Sequence, residues 1–200
     1  ISENNSDNAT KPKLAFQAPL TPLEPVDEVH HALIVGTHDY VTKSGFQKVL
    51  IGMSGGIDSA LTMVLAVEAL GAENVTGITM PTRFSSEGSV NDSIQLAENL
   101  GVNIHTIPIE TTFKTLLSTL EPVFANTEPN TAEENLQARI RGNILMSIAN
   151  KINALVLNTG NKTEMALGYC TMYGDMCGAL AVISDINKLE VYSISKWVNS

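Results

Sequence analysis

The chain has 200 residues, of which 44% are hydrophobic and 16% charged, proportions typical of one globular domain with a sizeable core. Its formal net charge is −9 and it has no basic stripe to neutralise phosphates, which argues against a nucleic-acid partner. No apolar run approaches about 18 residues and no signal-type leader opens the chain. We therefore expect a soluble, cytoplasmic protein that does not contact a membrane.

Residues 1–26 contain four prolines among Asn, Ser and Thr, and this composition predicts a tail or linker. Apolar residues then recur at helical spacing from Asp27 until Gly45, which predicts a helix. We expect the histidines of this helix to lie on its solvated face rather than to bind a metal (His30, His31 and His38).

The stretch Ser54-Gly55-Gly56-Ile57-Asp58-Ser59 follows a predicted strand over 47–53 and opens a predicted helix over 58–70. A glycine turn in that position leaves backbone N–H groups at the positive end of the helix, where they can bind phosphate. Ser54 and Ser59 can add hydroxyl donors, and Asp58 can hold a magnesium ion on phosphate oxygens. It is not a Walker A loop, because no lysine follows the glycines. The alternative is an ordinary turn with a helix-capping Asp or Ser.

The following segments alternate between strand and helix. Strands are predicted over 74–80 and 103–109, and helices over 89–100 and 111–120. Ser89 is predicted to cap the first of these helices, and Pro122 to lie in a loop after the second. Arg83 lies in the loop after the second strand, at the edge where open α/β sheets bind ligands. It can therefore meet ATP phosphates, although a solvated arginine is an equal alternative.

Residues Thr131 to Glu134 have the spacing of a capping box that opens a long helix ending at Lys151. A polar row lies beside the apolar stripe of this helix (Asn135, Arg139, Asn143). Few lysines or glutamates follow the first turn, so we expect the row to line a cleft, with Arg139 and Arg141 facing anionic substrate groups. An exposed helix face is the alternative.

A fourth strand is predicted over 153–158, followed by a second loop and helix start. Glu164 in this junction is a candidate for a second metal-holding carboxylate, or else a first-turn acid that complements the helix dipole. Residues 168–176 are too rich in glycine and aromatic residues for a regular element and predict a shaped binding loop. A last helix is predicted to start at Ser195.

Three stretches together resemble the NAD synthetase family: SGGIDS over 54–59, EENLQARIRGN over 133–143 and TGNKTEMALGY over 159–169. The first has the SGGxDS form shared by the ATP-pyrophosphatases, GMP synthetase among them, whereas the other two are more specific. The resemblance runs from about Asp27 to the end of the chain and is to the synthetase half of the glutamine-dependent form. It implies an α/β fold with a doubly wound, mainly parallel sheet and helices on both faces.

The resemblance also implies a reaction. ATP adenylates the nicotinate carboxylate of deamido-NAD, pyrophosphate leaves, and ammonia attacks the acyl-adenylate to give NAD and AMP. By matching position, the catalytic and magnesium-holding residues are Asp58 and Glu164. The residues implied at ATP are Ser54, Gly55, Gly56, Asp58, Ser59, Arg83 and Thr159, and those implied at deamido-NAD are Asn135, Arg139, Asp175 and Lys188.

The chain departs from the glutamine-dependent pattern at both ends. Residues 1–26 cannot supply the amidase domain with its Cys–Glu–Lys triad and resemble a connector to it, and the family continues beyond Ser200. We therefore expect 27–200 to be a C-terminally incomplete synthetase domain, and the resemblance implies a homodimer or higher homo-oligomer. The alternatives are another adenylating amidotransferase of the GMP-synthetase type and a nucleotide-binding fragment without turnover. The sequence leaves open whether ammonia is free or derived from glutamine.

Overall fold

A five-stranded parallel sheet runs through the part of the chain that the computed structural model describes, residues 23–200. The strands are β1 (Lys48–Met53), β2 (Val75–Thr79), β3 (Asn103–Thr106), β4 (Ala154–Asn158) and β5 (Leu180–Ala181). Their order across the sheet is β3-β2-β1-β4-β5, and every neighbouring pair is parallel. Residues 1–22 of the predicted tail lie outside the described residues.

Seven α-helices of the described residues accompany the sheet, together with one short 3-10 helix (Ala72–Asn74). The α-helices are α1 (Pro25–Lys43), α2 (Ile57–Leu70), α3 (Glu87–Leu100), α4 (Glu110–Phe124), α5 (Thr131–Ile152), α6 (Lys162–Leu167) and α7 (Lys188–Val198). None of the helices in this part of the chain is both long and apolar enough to cross a membrane.

Successive residues of β1 point to opposite faces of the sheet, as the period of a strand requires. Val49 and Ile51 share one core cluster with residues of α1, α2, α3 and α7. Leu50 belongs to a second cluster with residues of α4 and α5. All three side chains are fully buried. The predicted fold class is confirmed: the sheet is parallel and covered by helices on both faces.

The starts of two helices differ from the prediction by a few residues. Ser86, not Ser89, caps α3, and its hydroxyl accepts the Ser89 N–H at 3.1 Å. The capping box of α5 is formed by Asn130 and Glu133, one residue before the predicted pair. Asparagine is among the strongest N-cap residues, and it leaves Thr131 as the first helical residue.

The end of α4 and the start of α7 were also predicted wrongly. Helix α4 continues through Pro122 to Phe124 despite the loss of one helical hydrogen bond, because proline has no N–H to donate to the Ser118 carbonyl. Helix α7 begins at Lys188 rather than Ser195, because the Asn187 side chain accepts two backbone N–H groups of the first turn.

Two details at the edges of the sheet also depart from the prediction. Strand β3 ends at Thr106 rather than at 109, although the next N–H, that of Ile107, still donates to the Thr79 carbonyl at 2.8 Å. Strand β5 was not predicted, because two residues carry no periodic pattern.

His30 contradicts the expectation of a solvated histidine, because it is only 3% exposed. Its ring centroid lies 4.7 Å from that of Trp197 on α7, and its Nε2 lies 3.4 Å from a carboxylate oxygen of Glu68 on α2. The error follows from the late predicted start of α7, which concealed the packing of that helix on α1. His31 and His38 are exposed, as expected.

Candidate active site

The candidate site lies where the order of the strands reverses. From β1 the chain moves outward to β2 and β3, and it then crosses the other face of the sheet to enter β4 on the opposite side of β1. The loops that follow β1 and β4 therefore diverge and leave a crevice at the carboxyl ends of these neighbouring strands. Open α/β sheets bind their ligands at such a position.

The loop after β1 has the form predicted for a phosphate-binding loop. The Ser54 hydroxyl accepts the Gly56 N–H at 3.2 Å, and the Ser59 hydroxyl donates to the Gly56 carbonyl at 2.9 Å. Gly56 is the N-cap of α2 and offers no side-chain cap, so the N–H groups of the first turn remain available to a ligand. Gly55 has φ 79°, and a Cβ there would lie 2.4 Å from the Ser89 carbonyl oxygen.

Asp58 and Glu164, the two predicted metal-holding carboxylates, are joined by one asparagine. The Asn161 amide nitrogen donates to Asp58 Oδ1 at 3.1 Å, while the Asn161 backbone N–H donates to Glu164 Oε2 at 3.1 Å. Asn161 is 0% exposed, and both carboxylates line the same cavity. Glu164 thus lies in the first turn of α6, as the alternative interpretation proposed; it also completes the capping box of that helix and faces the cavity.

Two cavities meet at this crevice. The first has a volume of about 350 Å³ and an apolar floor that includes Met53, Met80 and Leu145. The second has a volume of about 470 Å³ and contains the two carboxylates. Four residues line both cavities and form the wall between them (Ser54, Asn158, Thr159 and Asp175).

Arg141 provides positive charge to the first cavity. Its Nε donates to the Met80 carbonyl at 3.2 Å, which fixes the guanidinium against the end of β2. Burial lowers the pKa of Arg141 from its usual value, but a guanidinium remains protonated in proteins. The group can therefore bind an anionic ligand in this cavity.

Residues 171–177, called here the wall loop, connect the cavities to α5. The Thr171 N–H donates to a carboxylate oxygen of Asp175, and the Thr171 hydroxyl donates to Asn135 Oδ1 at 2.8 Å. Arg139 is exposed and donates from Nε to the Met172 carbonyl at 3.3 Å. Asn135 and Arg139 thus contact the wall loop, whereas Asp175 lines both cavities.

The wall loop packs unusually closely on α5. A Cβ at Gly142 would lie 2.9 Å from the Tyr173 carbonyl oxygen and 3.2 Å from Cys177 Sγ. A Cβ at Gly174 would lie 2.9 Å from Cβ of Ala138. Two glycines therefore allow the loop backbone to touch the helix.

The remaining predicted site residues fall into three settings. Thr159 lies in the wall between the cavities. Lys188, predicted at deamido-NAD, forms an ion pair with Asp58 through its Nζ. Arg83 is exposed, lies outside the lining of both cavities, and pairs with Glu110 at 3.7 Å.

Sequence reasoning missed Asn158 and Asn161. The spacing of Asn161 and Glu164 is that of a capping box, and this signal could have identified Asn161 as the N-cap of α6. Asn158 carried no signal, because its role depends on a loop that lies 17 residues farther along the chain.

Chemically, the site combines a glycine turn with free backbone N–H groups, two carboxylates and a half-buried arginine. Two carboxylates with phosphate oxygens form the donor set that magnesium prefers, so the residues present fit this ion. No group of three or more His, Cys, Asp or Glu among residues 23–200 could hold a metal alone.

Known proteins have similar sequences and a similar fold. The NAD synthase family matches residues 29–200. A glutamine-dependent NAD(+) synthetase from Thermotoga maritima is 54% identical over 187 residues, which are 92% of this chain and 32% of that relative. The structure of a glutamine-dependent NAD+ synthetase from Acinetobacter baumannii in complex with adenosine diphosphate has TM-score 0.88 and 45% identity, over 92% of this chain and 35% of that one. An NH3-dependent NAD synthetase from Campylobacter jejuni has TM-score 0.81 and 31% identity, over 88% of this chain and 74% of that one. The chain spans about a third of the glutamine-dependent relatives, and it belongs to the NAD synthase family.

Proposed function

We propose that this chain forms the synthetase site of a ligase that uses ATP to amidate the nicotinate carboxylate of deamido-NAD. The products are NAD, AMP and pyrophosphate. The observation that carries the proposal is the phosphate-binding loop beside the joined carboxylates Asp58 and Glu164, at the crevice of a chain of the NAD synthase family. The Acinetobacter relative was solved with adenosine diphosphate, which supports ATP as the nucleotide.

ATP binds with its phosphates at the loop over 54–56 and with its base in the first cavity. The free N–H groups at the start of α2 stabilise the β- and γ-phosphates, and the apolar floor accepts the adenine ring. Thr159 lies beside the phosphates in the wall between the cavities. Arg83 can reach the phosphates only after release from Glu110.

Asp58 and Glu164, together with phosphate oxygens, would hold magnesium. When bound, it neutralises charge that would oppose the approach of a carboxylate to a phosphate. Lys188, paired with Asp58, adds a positive charge at the same place. Asn161 keeps the two carboxylates turned toward one cavity.

The reaction has two steps. A carboxylate oxygen of the nicotinate attacks the α-phosphorus, and pyrophosphate leaves. Ammonia then attacks the acyl carbon, AMP leaves with the electron pair of the broken C–O bond, and the nitrogen loses a proton. The protein supplies no covalent nucleophile; the loop N–H groups, Arg141 and Lys188 stabilise the negative charge that gathers at phosphorus. Asn135, Arg139 and Asp175 shape the side of the site that receives deamido-NAD.

The proposal also includes the source of the ammonia, the oligomeric state of the protein and its cellular compartment. Ammonia derives from glutamine in the intact protein, as the names of the relatives at about half identity suggest. The protein is cytoplasmic and forms a homodimer or higher homo-oligomer. The assembly is supported by three hydrophobic side chains beside the site that are largely exposed: Leu167 (77%), Tyr169 (80%) and Tyr173 (77%). Size-exclusion chromatography with light scattering tests the assembly.

The test of the activity is formation of NAD and AMP from deamido-NAD, ATP and Mg²⁺, with ammonium or glutamine in parallel reactions. NAD in either reaction supports the proposal, and NAD from glutamine also identifies the ammonia source. Asp58→Asn is expected to abolish pyrophosphate release while the protein stays folded by circular dichroism. ATP binding without any product would instead favour a nucleotide-binding protein without turnover. AMP formation with xanthosine monophosphate but not with deamido-NAD would favour a GMP-synthetase-like enzyme.

A further inference from the structure

Asn158 occupies an unusual position at the carboxyl end of β4. It is 8% exposed, and its side chain makes three hydrogen bonds to backbone groups. Its amide nitrogen donates to the carbonyls of Asp175 and Cys177, and its oxygen accepts the Gly160 N–H at 2.7 Å. The orientation of the amide is fixed by its partners, since carbonyls only accept and an N–H only donates.

These three bonds join two segments that otherwise belong to different parts of the site. Gly160 lies in the turn after β4, which leads to Asn161 and so to the carboxylate pair. Asp175 and Cys177 lie in the wall loop. Asn158 is therefore a buried clamp between the turn beside the phosphate loop and the loop that separates the two cavities.

Among the described residues, the side-chain hydrogen bonds between the wall loop and β4 both come from Asn158; just beyond the loop, the Ala179 N–H donates to the Val156 carbonyl at 2.8 Å. The bonds of the loop to Asn135 and Arg139 lead to α5, and its other hydrogen bonds lie within the loop. Without Asn158, the loop would keep its contact with α5 but lose two side-chain hydrogen bonds that hold it to β4. The wall between the cavities would then be free to move.

We propose that Asn158 is a positioning residue that holds the wall loop against β4 and so fixes where the two substrates meet. The inference rests on the proposed function for the identity of these substrates. The nicotinate carboxylate must reach the α-phosphorus of ATP, and a displacement of about 1 Å at such a meeting point costs about 100-fold in rate. Asn158 lines both cavities, but the polar atoms of its side chain are bonded to the wall loop and to Gly160, so it acts on the substrates through the wall loop.

The first test is Asn158→Ala in the intact protein. The KM for deamido-NAD is expected to rise about tenfold or more, the change that follows from losing buried hydrogen bonds. The dissociation constant of ATP with Mg²⁺ should change less than about threefold, because Asn158 makes no bond to the phosphate loop. Hydrogen exchange at the Cys177 amide, which donates to Gly174, should become faster.

A second variant, Asn158→Asp, tests the role of the amide nitrogen separately from that of the amide oxygen, because it removes the donor and keeps the acceptor. A carboxylate can still accept the Gly160 N–H, but it faces two carbonyl oxygens that it cannot bond. Burial and the missing donors favour the protonated acid, which can donate one bond. The ratio of the Asn158→Asp KM to the wild-type KM, measured at each pH, should therefore fall as the pH is lowered from 8.5 to 6.5. The same ratio for Asn158→Ala should not change with pH. Asn150→Asp, on an exposed position of α5, is the matched control and should behave as wild type.

The outcomes distinguish failure of this inference from failure of the proposed function. Wild-type protein that makes no NAD would refute the proposed function, while exchange at the wall loop would still test the clamp. The inference is overturned if Asn158→Ala keeps the wild-type KM, or if its wall loop exchanges as slowly as in wild type. It is also overturned if only kcat falls, in proportion to the folded fraction, since that is the behaviour of a merely structural residue.

Discussion

Gly142→Ala is the substitution whose effect the structure determines most directly. The added Cβ would lie 2.9 Å from the Tyr173 carbonyl oxygen and 3.0 Å from the Gly174 carbonyl oxygen. Ordinary contact begins at 3.4 Å, so the loop backbone must retreat by about 0.5 Å (3.4 − 2.9). Neither contact atom belongs to a flexible side chain that could turn away.

Two effects on stability oppose each other in this variant. Alanine in place of glycine inside a helix stabilises by about 1 kcal/mol. Overpacking of a close contact costs about 1–3 kcal/mol if the surroundings stay in place. The wall loop is held largely by hydrogen bonds rather than by core packing, so we expect it to move. The free energy of unfolding should therefore stay within about 1 kcal/mol of wild type, while the KM for deamido-NAD rises about tenfold.

The control is Gly36→Ala on α1, where an added Cβ meets nothing within 4 Å. It should raise the free energy of unfolding by about 0.5–1 kcal/mol in urea and leave the kinetics unchanged. The assay for both variants is urea unfolding, steady-state kinetics and hydrogen exchange of residues 171–177. If Gly142→Ala stabilises as much as Gly36→Ala and keeps the wild-type KM and exchange, the close packing of the wall loop on α5 is refuted.

Three further predictions test the helix caps and the site. Asn130→Ala should lower the free energy of unfolding by about 1 kcal/mol and Thr131→Ala by clearly less, as measured in urea; equal losses would contradict the observed capping box. Partial burial and the nearby Asp175 carboxylate raise the pKa of the half-buried Cys177 thiol, so its alkylation by iodoacetamide, followed by peptide mass spectrometry, should be slow at pH 7.5 and speed up toward pH 10; a fast reaction at neutral pH would contradict the raised pKa. Asn161→Ala should weaken Mn²⁺ binding, followed by electron paramagnetic resonance with a non-hydrolysable ATP analogue present, by about 10- to 100-fold; unchanged affinity would remove its positioning of the carboxylates.

The sequence predicted β1, β2, β4 and the glycine turn after β1 to within a residue or two, because their signals are local. A buried parallel strand is a short apolar run, and the turn that follows β1 needs its glycines at fixed positions. The bounds of the helices were predicted less accurately, since several neighbouring residues can cap a helix. Ser86 and Ser89 compete for the start of α3, and the backbone of Ser86 takes the extended conformation that the cap requires.

The contacts that assemble the site are not local, and the sequence could not show them. Asn161 reaches Asp58 across 103 positions of the chain, and Lys188 reaches the same carboxylate across 130. The family resemblance pointed to residues of the crevice, but it did not show which side chains bond one another. Asn135 and Arg139 illustrate the difference, because both contact the wall loop rather than line a cavity.

The turn after β4 explains why so much of the site depends on so few residues. Strand β4 lies beside β1, with Leu157 paired to Ile51, so the turn emerges next to the phosphate loop. Asn158 at its start binds the wall loop, and Asn161 at its end binds Asp58. Neither asparagine could do this from another strand, because only β4 is adjacent to β1 on the side away from β2. The position of this strand in the sheet therefore decides that one short turn connects the carboxylate of Asp58 with the wall between the two cavities.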